Sequence, residues 1–358
     1  MSWKDCQILN LEQVDQSEFS PATELEYSSL LLEWIVDNSF FKSEVFESTL
    51  DISGQIFYRF SITATDSDGN QYHGFGRSKN RLKSASIATG EVIERYVAKK
   101  ILKSQIPYYA KHLVSVSDAE ISVSAAGGDV SLPSAGFHSS NGWAVHFSLK
   151  TAIENSVVES LERHTLLYSF LHSGWNGFNV DQQVPFQGQK LTPYVSRFSF
   201  GGFGAGIVAT EGKKFLGRTF GYLCDDAEEL NGSKKWLNAF FESHGQWELL
   251  SSDEPLPEDA NFLIKYQRHF LMTSHSLQNQ NSQAETKNVS DMQANILVLD
   301  LKSALNLPVP MFAAFSFGGN LIPLFFKQKL SSEETLKIQA TLKKWELPTD
   351  LPEFHPIL

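Results

Sequence analysis

Apolar residues recur every three or four positions in two long stretches, and alternating segments flank both. In one, Ile153, Val157, Leu161, His164 and Tyr168 form a stripe, whereas Thr151, Asn155, Glu159 and Glu162 fall on another side. In the other, Ala85, Thr89, Val92 and Tyr96 form the stripe, and Ser84, Ile87, Glu91 and Glu94 lie off it. Each pattern predicts an amphipathic helix. Each helix carries a Glu-x-x-Glu-Arg motif, Glu91-Glu94-Arg95 in one and Glu159-Glu162-Arg163 in the other. The spacing puts both carboxylates of a motif on one helical face with a guanidinium beside them.

The remaining elements follow from the same kind of reading. A helix is expected over Ser28–Val36, whose leucines and Trp34 dock on the core or on a partner, with docking within the chain favoured. Alternation over Gln55–Ala64, the turn Asp66-Ser67-Asp68-Gly69-Asn70 and the run to Gly74 predict a β-hairpin. Gly74-Phe75-Gly76-Arg77-Ser78 then reads either as a plain turn or as a loop offering N–H groups to phosphate ahead of the helix. Ser115–Phe147 predicts strands broken at Ala126-Gly127-Gly128 and Pro133, and Asn141-Gly142 reads as a turn or as the mouth of a site. Gly201 to Gly206 predicts a hairpin or bulge, because the following Gly212-Lys213-Lys214 misses the spacing and the Ser/Thr of a nucleotide loop.

A third helix is expected from about Lys234 to Leu250, with Glu242 among its polar residues. Residues 273–291, rich in Gln, Asn and Ser, read as a flexible insertion. Ile296–Leu299, Met311–Phe317 and Leu321–Phe326 predict strands, and Ser332-Glu333-Glu334 opens a helix reaching about Lys344. A proline-punctuated tail ends at Leu358.

Composition narrows the possible functions. The 358 residues are 42% hydrophobic, enough to bury a sizeable core. A net charge of −11 without any Lys/Arg block argues against nucleic acid or an anionic membrane as the main partner. Cys6 and Cys224 make no disulfide framework. With no signal-like N-terminus and no apolar run long enough to span a bilayer, a cytoplasmic protein is expected. No His-Glu-x-x-His, paired Cys/His or Gly-x-Ser-x-Gly pattern supports zinc or serine hydrolysis. His164, on the apolar stripe, reads as a core histidine.

Four carboxylates facing one another from two helices would repel unless cations sat between them, and hard oxygen ligands suit Mg2+ bridging to phosphates. That reading gives an ATP site without a P-loop. The alternative is a pair of solvated helix faces with local ion pairs.

The stretches Gly74–Tyr96 and Ser140–Arg163 resemble the YcaO family, which pairs a Gly-x-Gly segment and a Ser/Ala-rich helix ending Glu-x-x-Glu-Arg with an Asn-Gly-x-Ala segment and a second such helix. The resemblance covers roughly residues 55–330 and is greatest to the cyclodehydratase subunit of microcin-type azole-forming synthetases. It implies a mixed α/β (α+β) fold in one large domain over 55–358, with antiparallel sheets packed on helices, after an N-terminal segment over 1–54. It also implies ATP-dependent cyclodehydration of Cys, Ser or Thr in a ribosomally made precursor peptide through phosphorylation of the backbone amide oxygen.

By the resemblance Glu91, Glu94, Glu159 and Glu162 hold Mg2+, with Glu91 and Glu159 at the catalytic centre. Ser84, Arg95, Asn155, Arg163 and Glu242 contact nucleotide or metal, and the Leu358 carboxylate serves as a base. The implied partners are the precursor peptide, an E1-like leader-recognising protein and an FMN-dependent azoline dehydrogenase. Ile87, Phe147, Thr151 and Asn238 depart from the family pattern. Two further readings stay open: a thioamide-forming enzyme using an external sulfur donor, and a degenerate scaffold without ATP turnover.

Overall fold

The computed structural model describes residues 20–52, 55–103, 109–117, 120–132, 142–172, 175–177, 190–211, 216–224, 287–289, 292–322 and 330–350. The chain divides into two compact units. One comprises Met1–Leu113, Ser124–Glu159 and Asn295–Phe317; the other comprises Val114–Val123, Ser160–Ala294 and Gly318–Leu358.

The first unit begins with helix α1 (Pro21–Val36), whose N-cap Ser20 accepts the Thr23 N–H and whose first residue is proline. These start signals place the helix onset seven residues before the expected Ser28. Leu31 and Ile35 of α1 are fully buried, so the helix docks within the chain. Strand β1 (Phe41–Ile52) follows and pairs antiparallel with β2 (Gln55–Asp66) from Phe41↔Asp66 to Ile52↔Gln55. The boundary expected at 54/55 therefore falls inside a hairpin. Charged residues interrupt the apolar alternation of β1 and hid the strand, which is held by its ladder with β2.

Strand β3 (Gln71–Ser78) completes a three-stranded sheet in the order β1-β2-β3, as the hairpin reading expects. Its turn is organised by Asp66, which accepts the Asp68 and Asn70 N–H groups, while Gly69 supplies φ +79°. Burial alone would raise the Asp66 carboxyl, but hydrogen bonds from Asn70, Tyr72 and Lys100 outweigh it and hold the carboxyl well below the usual range.

Helix α2 (Arg81–Lys103) buries the expected stripe of Ala85, Thr89, Val92 and Tyr96. Tyr72, Gly74 and Gly76 of β3 are buried, whereas Gln71, His73 and Phe75 alternate outward. A Cβ built at Gly74 would overlap the Ala88 carbonyl oxygen, and one at Gly76 the Ser84 carbonyl oxygen. The Gly-x-Gly segment is thus not a loop awaiting phosphate. It lies within a strand, and its glycines let that strand pack against the helix backbone.

A five-stranded sheet runs in the order β5-β4-β12-β13-β6. Its strands are β4 (Tyr109–Ser117), β5 (Glu120–Ser131), β6 (Trp143–His146), β12 (Met292–Asp300) and β13 (Phe312–Phe317). The expected break at Ala126-Gly127-Gly128 does not occur, because β5 continues through it. Trp143 stacks on Phe315 with ring centroids 4.6 Å apart. Residues of α1, α2, β2, β6, β12 and β13 share one apolar core in this unit.

Helix α3 (Leu149–Leu171) runs from the first unit into the second at Glu159/Ser160. In the second unit β7 (Trp175–Gly177), β8 (Lys190–Phe200), β9 (Phe203–Glu211), β10 (Leu216–Cys224) and β11 (Lys287–Val289) form a sheet ordered β10-β9-β8-β11, with β7 also on β8. Gly201 and Gly202 turn β8 into β9 with φ of 56° and 90°, confirming the hairpin reading. Lys287–Val289, expected within the flexible insertion, instead pairs parallel with Phe198–Phe200. Helix α4 (Ser332–Lys344) starts at a capping box between Ser331 and Glu334, where its sequence signals it. Among the described residues no helix is long and apolar enough to cross a membrane.

Candidate functional site

The Glu-x-x-Glu-Arg motif of α2 is bound to the edge of a sheet. Strand β3 ends the β1-β2-β3 sheet, and the Phe75 N–H donates to Glu91 Oε2 at 2.6 Å. Arg95 bridges back to Glu91 Oε1 and donates through Nη1 to the His73 carbonyl oxygen. The i,i+4 ion pair thus supplies an acceptor and a donor to an edge that has no further strand beside it among the described residues. Burial pushes the Glu91 carboxyl above its ordinary range, opposed by the charge of Arg95 and the hydrogen bonds from Phe75 and Arg95. The Glu91 side chain keeps 28% of its exposure and that of Arg95 38%. Glu94, one turn on, is half-buried.

Ser84, expected beside these carboxylates as a nucleotide contact, is fully buried and donates its hydroxyl to the Tyr58 carbonyl at 2.8 Å. Ile87, where the family pattern has a serine, is 43% exposed on α2.

On α3 the identical motif makes a different pairing. Arg163 Nη1 lies 3.5 Å from Glu162 Oε1, with side-chain exposures of 20% and 14%. Glu159 is half-buried and Asn155, one turn earlier, is exposed. The stripe opposite is as expected, with Ile153, Val157, Leu161 and His164 buried. The Ser156 hydroxyl donates to the Gly142 carbonyl and the Ser316 hydroxyl to the Ser156 carbonyl, tying α3 to the strand pair β6–β13. Phe147 packs edge-on to Tyr27 of α1 at 5.6 Å, so the ring occupying that departure from the family pattern serves the core. Thr151 is partly buried in the first turn of α3.

Among the described residues no group of three or more His, Cys, Asp or Glu side chains is gathered as a metal site. Glu242, the helix expected around it, Asn141 and the Leu358 terminus lie outside the described residues. Sequence reasoning missed the parts of His73 and Phe75, which act through main-chain atoms that no side-chain pattern announces. The alternate glycines at 74 and 76, which mark close approach of β3 to α2, were the only signal.

His164 is a core histidine, as its place on the stripe predicts. Its Nδ1 accepts the Ile322 N–H at 3.0 Å, Phe200 meets the ring edge-on, and Nε2 is buried without a hydrogen-bond partner. Burial pushes its pKa down to about 3. The unfolded chain, with a histidine pKa near 6.5, binds a proton that the folded chain refuses. Stability is therefore full above the unfolded value and falls as pH drops from there towards 3, at up to about 1.4 kcal/mol per pH unit. Between pH 7 and pH 5 this group should remove about 2 kcal/mol, read as a drop in the urea midpoint. His164→Phe should flatten that part of the profile; a variant as pH-sensitive as the parent would assign the effect elsewhere.

No family model and no curated protein matches the chain by sequence. Solved structures do resemble it. A heterocyclase solved in complex with substrate and cofactor aligns over 88% of this chain with a TM-score of 0.55 and 13% identity. The chain spans 55% of that protein's length. A YcaO protein from Methanopyrus kandleri, solved with AMPPCP and Mg2+ bound, aligns over 83% of this chain and 90% of its own, with a TM-score of 0.48 and 15% identity. The likeness to the heterocyclase establishes a shared mixed α/β fold with antiparallel sheets and helices.

Proposed function

We propose that the protein is an ATP-dependent cyclodehydratase acting on Cys, Ser or Thr residues of a ribosomally made precursor peptide. The observation that carries this reading is the partial burial of the α3 motif, where Glu162 and Arg163 retain 14% and 20% of their side-chain exposure. A merely solvated helix face would leave such side chains in water, whereas a site that handles phosphate withdraws its charges from it. The heterocyclase of shared fold, solved with substrate and cofactor, supports the same direction.

The donor chemistry fits Mg2+ with ATP, since hard carboxylate oxygens suit an ion that also bridges phosphates. In this reading Glu91 and Glu94 on α2 and Glu159 and Glu162 on α3 are the candidate Mg2+ ligands, Arg95 and Arg163 the candidate phosphate contacts, and the exposed Asn155 the candidate nucleotide contact one turn before Glu159, although among the described residues no three of these carboxylates are gathered as a metal site. Bound Mg-ATP supplies the phosphoryl group that activates a backbone amide oxygen. The carboxylates position the metal and the guanidiniums stabilise charge developing on phosphate. Recognition of the precursor falls to an E1-like partner, and an FMN-dependent dehydrogenase acts on the azoline product.

The test is mass spectrometry of a Cys- and Ser-containing precursor incubated with Mg-ATP, this chain and its encoded partner proteins. Loss of one water per ring is expected, with phosphate released, and of two further hydrogens per ring where the FMN-dependent dehydrogenase is present. A precursor of unchanged mass sinks the reading. A scaffold without ATP turnover is the second reading, favoured by the engagement of both Glu91 oxygens and by the packing of Phe147 on Tyr27.

A further inference from the structure

The His73 carbonyl and the Phe75 N–H point to the same side of β3, because alternate residues of a strand direct their main-chain groups alike. One pair of α2 side chains meets both: Arg95 donates through Nη1 to the His73 carbonyl, and Glu91 Oε2 accepts the Phe75 N–H at 2.6 Å. Arg95 Nη2 donates to Glu91 Oε1 and joins the two. In a parallel sheet one residue of a neighbouring strand does the same, donating to the carbonyl on one side of its partner and accepting the N–H on the other. The ion pair therefore stands where one residue of a parallel strand would, opposite Gly74. Gly74 is also where a built Cβ would overlap the Ala88 carbonyl oxygen. Bonds from α2 thus bracket one of the two places where β3 meets the helix backbone.

We infer that Glu91 and Arg95 are a main-chain clasp that fixes β3 on α2, and that neither is a ligand of metal or phosphate. The family resemblance implies Mg2+ at Glu91, and the residues present do not fit it. Both Glu91 oxygens are engaged within the chain, and among the described residues no group of three His, Cys, Asp or Glu side chains gathers there. Mg2+ holds near-octahedral oxygens at about 2.1 Å, so it could take Glu91 only by depriving the Phe75 N–H or Arg95 of a partner. The closed pair, by contrast, neutralises two partly buried charges and gives both strand groups charge-assisted bonds. Glu91 and Arg95 thereby leave the set of candidate ligands. The ligand chemistry of the proposed function then falls to Glu159, Glu162, Arg163 and Asn155 on α3, with Glu94 the remaining candidate on α2. The clasp needs no bound ligand, so it stands or falls apart from the nucleotide reading.

The experiment is hydrogen exchange resolved to the Phe75 amide on the full chain, in the parent with and without saturating Mg-ATP and in two variants without nucleotide. Nucleotide binding is followed calorimetrically in parallel. In the parent, Phe75 exchange should stay within about twofold when Mg-ATP binds. In Glu91→Ala it should rise at least about tenfold, while the Gly74 and Gly76 amides, which alternate to the β2 side, stay unchanged. Arg95→Met removes only the guanidinium of a side chain that is 38% exposed, so it keeps the fold. With Glu91 no longer held, Phe75 exchange there should rise at least about threefold. Phe75 exchange equal to the parent's in either folded variant overturns the clasp. So does a larger rise in the parent on Mg-ATP binding, which would show Glu91 leaving for the ligand. Absence of nucleotide binding by the parent sinks the nucleotide reading and leaves the clasp to be decided by the two variants.

Discussion

Mg-ATP binding should weaken by at least about 100-fold when Glu159 and Glu162 are both replaced by glutamine, and cyclodehydration should fall with it. Glutamine keeps the volume and most of the hydrogen bonding of glutamate but removes the anionic oxygen that Mg2+ prefers. Glu162 stands 3.5 Å from Arg163 and Glu159 lies one turn before it on α3, so the double change strips charge from one helical face without opening a cavity. The variant should therefore unfold within a few degrees of the parent, and calorimetry then reads ligand loss rather than misfolding. Affinity equal to that of the parent would remove α3 from the site. Silence from the parent itself, alone and with its partner, would favour the scaffold.

Gly76→Ala should cost about 3 kcal/mol or more, enough to unfold much of a marginally stable chain. The added methyl has no flexible neighbour to displace, since the Ser84 carbonyl and the Ala88 nitrogen of the α2 backbone stand in its place. Relief would require β3 to leave α2 and surrender the burial of Tyr72, Val92 and their neighbours. Gly90→Ala supplies the contrast, because nothing lies within 4 Å of a Cβ there and the residue sits inside α2. That change should stabilise the chain by about 0.5–1 kcal/mol. Thermal melts of the two variants should move in opposite directions. If Gly76→Ala instead melts like the parent, the close approach of β3 to the α2 backbone is not what fixes glycine at that position.

What could be read from the sequence is what local rules control. The periodicity of Ala85, Thr89, Val92 and Tyr96, and of Ile153, Val157 and Leu161, placed α2 and α3 and their buried faces correctly, because a helical stripe is decided within a few turns. Ser332-Glu333-Glu334 marked the start of α4, which the structure caps at Ser331, and Gly201-Gly202 marked a hairpin, because caps and tight turns depend on three or four neighbouring residues. Strand β1 escaped because its partner, not its own pattern, holds it in place.

The candidate site divides along the same line. Its residue types and spacing, two Glu-x-x-Glu-Arg motifs on amphipathic helices, belong to the sequence. Their fates belong to the tertiary structure. Arg95 found a strand edge and Arg163 found its neighbour Glu162, although the two motifs read alike. Gly74 and Gly76 became a packing seam, and Ser84 became a support for α2, because β2 and β3 were brought against that helix. A pattern along the chain specifies which faces a helix offers. What meets those faces depends on chain segments far away, whose main-chain donors and acceptors carry no signature of their own.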